Sequence, residues 1–137
     1  NEQASALGEA CARAIEESGK KVVLISSHSL SHRHFVTESP LPEDMSREHI
    51  YNHSQYVWDM KLVELMRGGK MREVIDIMPE FTEQTIAETE AGGLTWMMAA
   101  MGHPEYPAEI YGYQSVIGTG NLIAAWDPIE ATREIVL

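Results

Sequence analysis

Apolar and small residues recur at i, i+3, i+4 and i+7 along residues 3 to 18, at Leu7, Ala10, Cys11 and Ala14. This spacing predicts a helix whose contact face is built of small side chains. Gly19 closes it, and Lys20 and Lys21 follow where a helix C-terminus favours cations. The period then changes. Val22, Val23, Leu24 and Ile25 form an unbroken apolar run, predicting a buried strand over 21–26. The run breaks into small polar residues with three histidines, His28, His32 and His34. An α/β fold places reactive side chains in this way, at the carboxyl edge of a sheet.

Downstream, TESPLPEDMSR over Thr37–Arg47 reads as an irregular connection, with two prolines and several acidic residues. A helix is expected from about Ser46 to Arg67, with Trp58, Leu62, Leu65 and Met66 on one face and Gly68–Gly69 as its stop. A shorter helix, Met71 to Met78, stacks Met71, Val74, Ile75 and Met78, and Pro79 ends it or opens the next turn. Residues 82–93 are acidic and small. They lead into Leu94–Met101, apolar nearly all round and so a buried helix, capped by Gly102. Two β-rich runs within Ala108–Ala125 are divided by Gly118–Thr119–Gly120, a hairpin turn. Asp127–Pro128 signals one more helix start. The fold class expected is α/β, a sheet flanked by helices, with too few strands for an independent sheet and so part of a larger α/β subunit.

Composition narrows the function classes. A net charge of −11 over 137 residues, with the ten Lys and Arg scattered, argues against nucleic acid or an anionic membrane as the main partner. The single cysteine, Cys11, excludes an internal disulfide framework, fits a reducing compartment and sits on the predicted apolar stripe as a buried thiol. No apolar run is long enough for a membrane span, so a cytoplasmic location is expected.

The chemistry-bearing residues cluster in two stretches. An imidazole exchanges protons near neutral pH or binds a metal when neutral, so His28, His32 and His34 form the sharpest local signal, against a plain reading as polar loop residues. Glu88 and Glu90 lie just ahead of the buried helix, where capping explains a carboxylate and metal ligation is the functional alternative. Two histidines and one carboxylate are the facial set of mononuclear non-haem Fe(II) enzymes. His49 and His53 stand four apart, but Ile50 occupies the Glu position of an HExxH motif, and a solvated pair is the expected reading. His103 reads as a turn residue, and Trp58, Trp96 and Trp126 as core. No phosphate loop or nucleophile elbow is present.

Leu30–Ser31–His32, following a strand-like run and a small polar loop, resembles the LSH site of class III extradiol ring-cleaving dioxygenases, the relatives of the protocatechuate 4,5-dioxygenase β subunit. AETEAGGLTWMMAAMG resembles the segment carrying that family's glutamate iron ligand. The likeness spans most of residues 20–127, although only the His and Glu segments are specific. It implies Fe(II) as cofactor and an aromatic substrate with adjacent OH and NH2 groups, or two OH groups, cleaved with O2. His32 then corresponds to the acid/base that does not bind metal. Glu88 or Glu90 corresponds to the iron ligand, Glu88 by the family's spacing between the two sites and Glu90 by its distance from Trp96. His28 and His34 become substrate-binding candidates. The family's two histidine ligands have no counterpart here, so the resemblance implies that residues 1–137 are the C-terminal portion of a catalytic subunit. The N-terminal half of that subunit would supply the histidines, within an α/β hetero-oligomer. A non-catalytic α-type partner subunit, a catechol-type dioxygenase and a plain acidic interaction domain are the competing readings.

Overall fold

The computed structural model describes residues 2–34 and 49–128. Their architecture is mixed α/β: four α-helices and a two-stranded antiparallel sheet. The elements run α1 (Glu2–Ser18), α2 (His53–Arg67), α3 (Met71–Thr85), a 3-10 turn (Glu88–Ala91), α4 (Gly92–Ala100), β1 (Glu109–Val116) and β2 (Thr119–Ala125). The connection expected over 37–47 lies outside the described residues, as does the tail beyond Pro128. No helix among the described residues is long and apolar enough to cross a membrane.

Helix α1 packs on α4 through a different stripe from the one the apolar spacing picked. Leu7 is largely exposed and Ala10 and Ala14 face solvent, whereas Ala4, Ser5, Gly8, Cys11, Ala12 and Ile15 are the more buried positions. The reason is proximity of backbones. A Cβ on Gly8 would overlap the Trp96 carbonyl and come within 2.6 Å of Ala99 Cβ. The two helices meet where the side chain is absent, and the larger Leu7 has no room there. Cys11 is a free, half-buried thiol on that face.

Helix α2 begins later than its pattern predicts. Asn52 is the N-cap, its side chain accepting from the Gln55 amide at 2.9 Å, and residues 49–52 are not helical. Asn is a strong cap, so the helix starts there and not at Ser46. Its buried side also differs, with Gln55, Asp59, Leu62, Val63 and Met66 inward. At the far end the Gly69 amide bonds to the Met66 carbonyl and the Lys70 amide to the Leu65 carbonyl, a Schellman motif with Gly69 at φ +70. A Cβ on Gly69 would lie 2.8 Å from the Tyr106 carbonyl carbon, so the chain entering β1 passes directly over this cap.

Helix α3 runs through Pro79 to Thr85, and does not stop there as the sequence suggests. Proline removes one hydrogen bond and crowds the preceding turn, at about 3 kcal/mol. Met71, Val74, Met78 and Phe81 are buried along one face, at roughly 1.5–3 kcal/mol per side chain, which outweighs the break. Helix α4 is the apolar helix expected, and ends in a second Schellman motif through Gly102 and His103. The core joins α2, α3, α4 and the inner face of the hairpin, with Trp58 and Trp126 packed at its edge.

The hairpin forms as predicted, but its turn is Ile117–Gly118, and Thr119 and Gly120 already belong to β2. Both turn residues have positive φ (45 and 93), the type I′ arrangement that matches strand twist. The strand expected over 21–26 is absent: among the described residues the sheet is β1–β2 alone. Val22, Val23 and Ile25 are exposed at 48%, 84% and 81%. A strand exists only when its backbone is paired, and these residues pair with neither β1 nor β2. Pairing begins further on, where the Leu30 amide donates to the Gly120 carbonyl and the Gly120 amide to the Ser31 carbonyl.

Substituting Gly8→Val should force α1 away from α4 and lower unfolding stability by about 1–3 kcal/mol. Urea denaturation followed by circular dichroism checks this, and an unchanged midpoint would contradict the close approach.

Candidate functional site

The site forms where the 28–34 loop crosses the end of α3 and the 3-10 turn. Four successive amides of this loop each donate to a different element. Ser29 donates to Glu88 Oε2 (2.6 Å), Leu30 to the Gly120 carbonyl (2.8 Å), Ser31 to Asp59 Oδ1 (3.0 Å) and His32 to the Thr85 carbonyl (3.2 Å). Ser29 Oγ also donates to Asn121 Oδ1. Leu30 and Ser31 are consequently buried, while His32 is left half-exposed at the rim.

The far wall is the Glu88–Ala91 turn. Thr89, Glu90 and Ala91 are three consecutive residues at left-handed φ (48, 54 and 56), preceded by Ile86 at 51. A residue with a Cβ is disfavoured there by roughly 1–2 kcal/mol. Such strain persists only where surroundings enforce it. Here the tight reversal carries the chain from α3 into α4 within a few residues and turns Glu88 back toward the loop.

The reversal brings Glu88 Oε2 to 3.9 Å from His32 Nε2. His34 stacks edge-on against His32, ring centroids 4.6 Å apart. His28 lies further in, its Nδ1 3.1 Å from Ser26 Oγ. It lines a small cavity of about 60 Å3 with Leu94, Met97, Leu122 and Trp126. Burial holds the His28 pKa below its ordinary value, against an upward pull from the Glu88 carboxylate. A Cβ on Gly93 would lie only 3.0 Å from His28 Nδ1, so a glycine at this position makes room for the imidazole.

Of the residues singled out in the sequence, the structure therefore gathers His32, His34 and Glu88, with His28 just behind. Glu90 is not among them. It borders a separate cavity of about 450 Å3 with Val74, Met78, Leu94, Met98 and His103. Neither cavity is lined by His32 or Glu88; the candidate site is the His32–Glu88 approach itself, with the small cavity behind it at His28. His49 precedes the α2 N-cap, so His49 and His53 do not share a helix face, and His53 stacks on Tyr56. His103 is a turn residue at φ 56, as its spacing implied.

Three side chains escaped the sequence reading: Asp59, Ser31 in its own right, and Tyr113. Asp59 is fully buried and accepts from Ser31 Oγ (2.7 Å) and Tyr113 OH (2.6 Å) as well as from the Ser31 amide. Burial raises its pKa, opposed by the bonds from Tyr113 and Ser31. Burial, and next the bond to Asp59, push the Tyr113 phenol well above its ordinary range, so its hydroxyl is the donor. The available signal was an acidic residue on the inward face of α2, between Gln55 and Leu62.

A His/carboxylate iron centre needs three protein ligands on one face. Among the described residues no three His, Cys, Asp or Glu side chains are grouped to hold a metal. The donor chemistry of Glu88, with an imidazole opposite, fits part of such a centre and not the whole.

The site thus sets a loop histidine opposite a glutamate on a strained turn beside a buried helix, and comparison with known proteins places the chain among the ring-opening dioxygenase subunits. The chain belongs to that family: residues 1–124 match the family model described as the catalytic LigB subunit of aromatic ring-opening dioxygenase. It is 50% identical over 125 residues to the 2-aminophenol 1,6-dioxygenase beta subunit of a Pseudomonas species, covering 91% of this chain and 41% of that protein. It is 27% identical over 105 residues to the Escherichia coli 3,4-dihydroxyphenylacetate 2,3-dioxygenase, covering 77% of this chain and 37% of that protein. The chain thus spans about two fifths of the length of these relatives.

The lowered pKa of His28 ties stability to pH. The unfolded chain takes up a proton near the ordinary value of 6.5, while the folded one resists until lower pH. The His28 contribution is complete above that value and is lost as pH falls through the depressed folded pKa. Metal-free protein should therefore lose more unfolding free energy between about pH 7.5 and about pH 5 than a His28→Asn variant does. Parallel slopes in urea titrations would contradict the assignment.

Proposed function

We propose that the chain is the C-terminal portion of the catalytic subunit of an extradiol dioxygenase that opens 2-aminophenol-type aromatic rings with O2. The observation that carries this reading is the approach of His32 Nε2 to Glu88 Oε2 at 3.9 Å, across two loops 56 residues apart in sequence. Identity of 50% to an aminophenol enzyme's subunit, against 27% to a dihydroxyphenyl enzyme, supports the amino-substituted substrate over a catechol.

In this reading Glu88 supplies the carboxylate ligand to Fe(II), and Glu90, bordering the other cavity, does not. Two further ligands, both histidines, come from the remainder of the subunit, and the subunit works in an α/β hetero-oligomer. Bound Fe(II) supplies Lewis acidity and a template that orients the aromatic and O2. His32 Nε2 is the proton-handling atom: it takes the proton from the substrate OH or NH2 group and returns one as the ring opens. His34, edge-on to His32, limits how far that ring can swing and lies where it can contact substrate. His28 shapes the apolar wall with Leu94, Met97 and Trp126, which keeps water from the reacting groups.

The test is anaerobic Fe(II) loading of the complete subunit with its partner subunit, followed by 2-aminophenol and O2 with absorbance monitoring. His32→Ala should lower kcat by about 10²–10⁴-fold while iron content stays at the wild-type level. Glu88→Gln should lose iron, and Glu90→Gln should keep it. The 137-residue chain alone should not form a tight one-to-one Fe(II) complex. Iron retention in Glu88→Gln with loss in Glu90→Gln would reverse the ligand assignment. A complete assembly that neither binds iron nor turns over would leave the non-catalytic partner subunit as the reading to adopt.

A further inference from the structure

Asp59 has no part in the chemistry just described, yet it is the most constrained ionisable side chain near it. It is 0% exposed, on the inward face of α2 beside Leu62 and Val63. An isolated buried carboxylate is costly, and apolar replacements of buried charges are frequently neutral or stabilising. Packing alone therefore gives no reason for an acid here. Its hydrogen bonds supply one. Oδ1 accepts from the Ser31 amide, and Oδ2 accepts from both Ser31 Oγ and Tyr113 OH. Two of the three donors belong to the residue immediately before His32.

The surroundings leave Ser31 no alternative position. Its Oγ also accepts from the Gly120 amide at 3.1 Å, and its carbonyl accepts from the same amide at 3.0 Å. Any side chain on Gly120 would overlap Asp59 Oδ2 and Tyr113 OH. Asp59 thus joins α2, β1 and the histidine loop, with β2 closing over them.

We propose that Asp59 is a positioning residue for His32: by gripping both the amide and the hydroxyl of Ser31 it fixes the backbone from which His32 faces Glu88. This rests on the acid/base reading of His32. The carboxylate is suited to the task because it accepts from three donors at once with no donor of its own. An asparagine in its place retains one oxygen and presents an NH2 group to two hydroxyls that must then turn away. Misplacing a reacting group by about 1 Å costs on the order of 10²-fold in rate. The effect should therefore fall on turnover and leave ground-state binding largely intact.

The experiment is a double-mutant cycle in the complete, Fe(II)-loaded assembly, pairing Asp59→Asn with His32→Ala, alongside hydrogen exchange by mass spectrometry on the metal-free protein. In the wild-type background Asp59→Asn should lower kcat by about 10-fold or more with KM and iron content changed less than about twofold. In the His32→Ala background it should cost nothing further. Amides of residues 29–32 should exchange faster, while those of α3 and α4 keep their wild-type protection. Tyr113→Phe, which removes one donor and keeps the carboxylate, should show the same pattern with a smaller loss, and it serves if Asp59→Asn does not fold. Equal losses in both backgrounds, or unchanged exchange in 29–32, would overturn the proposal and leave Asp59 a general stability determinant. Wild-type turnover in His32→Ala would instead overturn the acid/base reading, and the exchange data would still decide whether Asp59 holds the loop.

Discussion

A buried loop must find a partner for every amide, and the 29–32 segment meets that demand by reaching in four directions at once. Glu88, Gly120, Asp59 and Thr85 each accept one hydrogen. Lose the loop and the 3-10 turn, β2, α2 and the end of α3 no longer share a common contact. Gln55, whose side-chain amide donates to the same Thr85 carbonyl at 2.8 Å, extends the arrangement by one more member of α2. Each bond is worth only about 1 kcal/mol net, but an unmade one in this environment costs 1–3. The asymmetry makes the loop close to all-or-none, which suits a histidine required in one place.

The elements with strong periodicity were readable in advance. Helix α4, the hairpin and the existence of α2 and α3 follow from their apolar spacing and glycine stops, and the family follows from Leu30–Ser31–His32 and the Glu88–Trp96 segment. The departures have physical causes. The local cost of Pro79 is visible in sequence and implies a helix end or the opening of the next turn, whereas the burial of Met71, Val74, Met78 and Phe81 that offsets it is tertiary. The α1 contact face departs from the apolar stripe because hydrophobicity favours Leu7, while the helices meet where Gly8 has no side chain at all. Asp59 could not be foreseen as a hub, since its three donors come from residues 28 and 54 positions away.

The two glutamates show the limit of reading function from spacing. In sequence Glu88 and Glu90 are nearly equivalent, both just ahead of an apolar helix. In space the left-handed run at Thr89, Glu90 and Ala91 sends them to different sides, one toward His32 and the other to the cavity beside Val74 and Met78. The left-handed positions themselves are not glycines, so the sequence does not mark the direction of the reversal.

Glu88 and His32 lie 3.9 Å apart, and among the described residues no three His, Cys, Asp or Glu side chains are grouped to hold a metal. Directly upstream lies an apolar segment, Val22, Val23 and Ile25, that faces solvent and pairs with no strand. The exposed apolar run and His32, which faces Glu88, sit at the two ends of one continuous stretch from 22 to 32. In the proposed reading, a single surface would supply neighbouring backbone to the first and histidine ligands to Glu88 beside the second. The chain spans about two fifths of its relatives' length, and under the proposed reading the remainder of the subunit would present that surface.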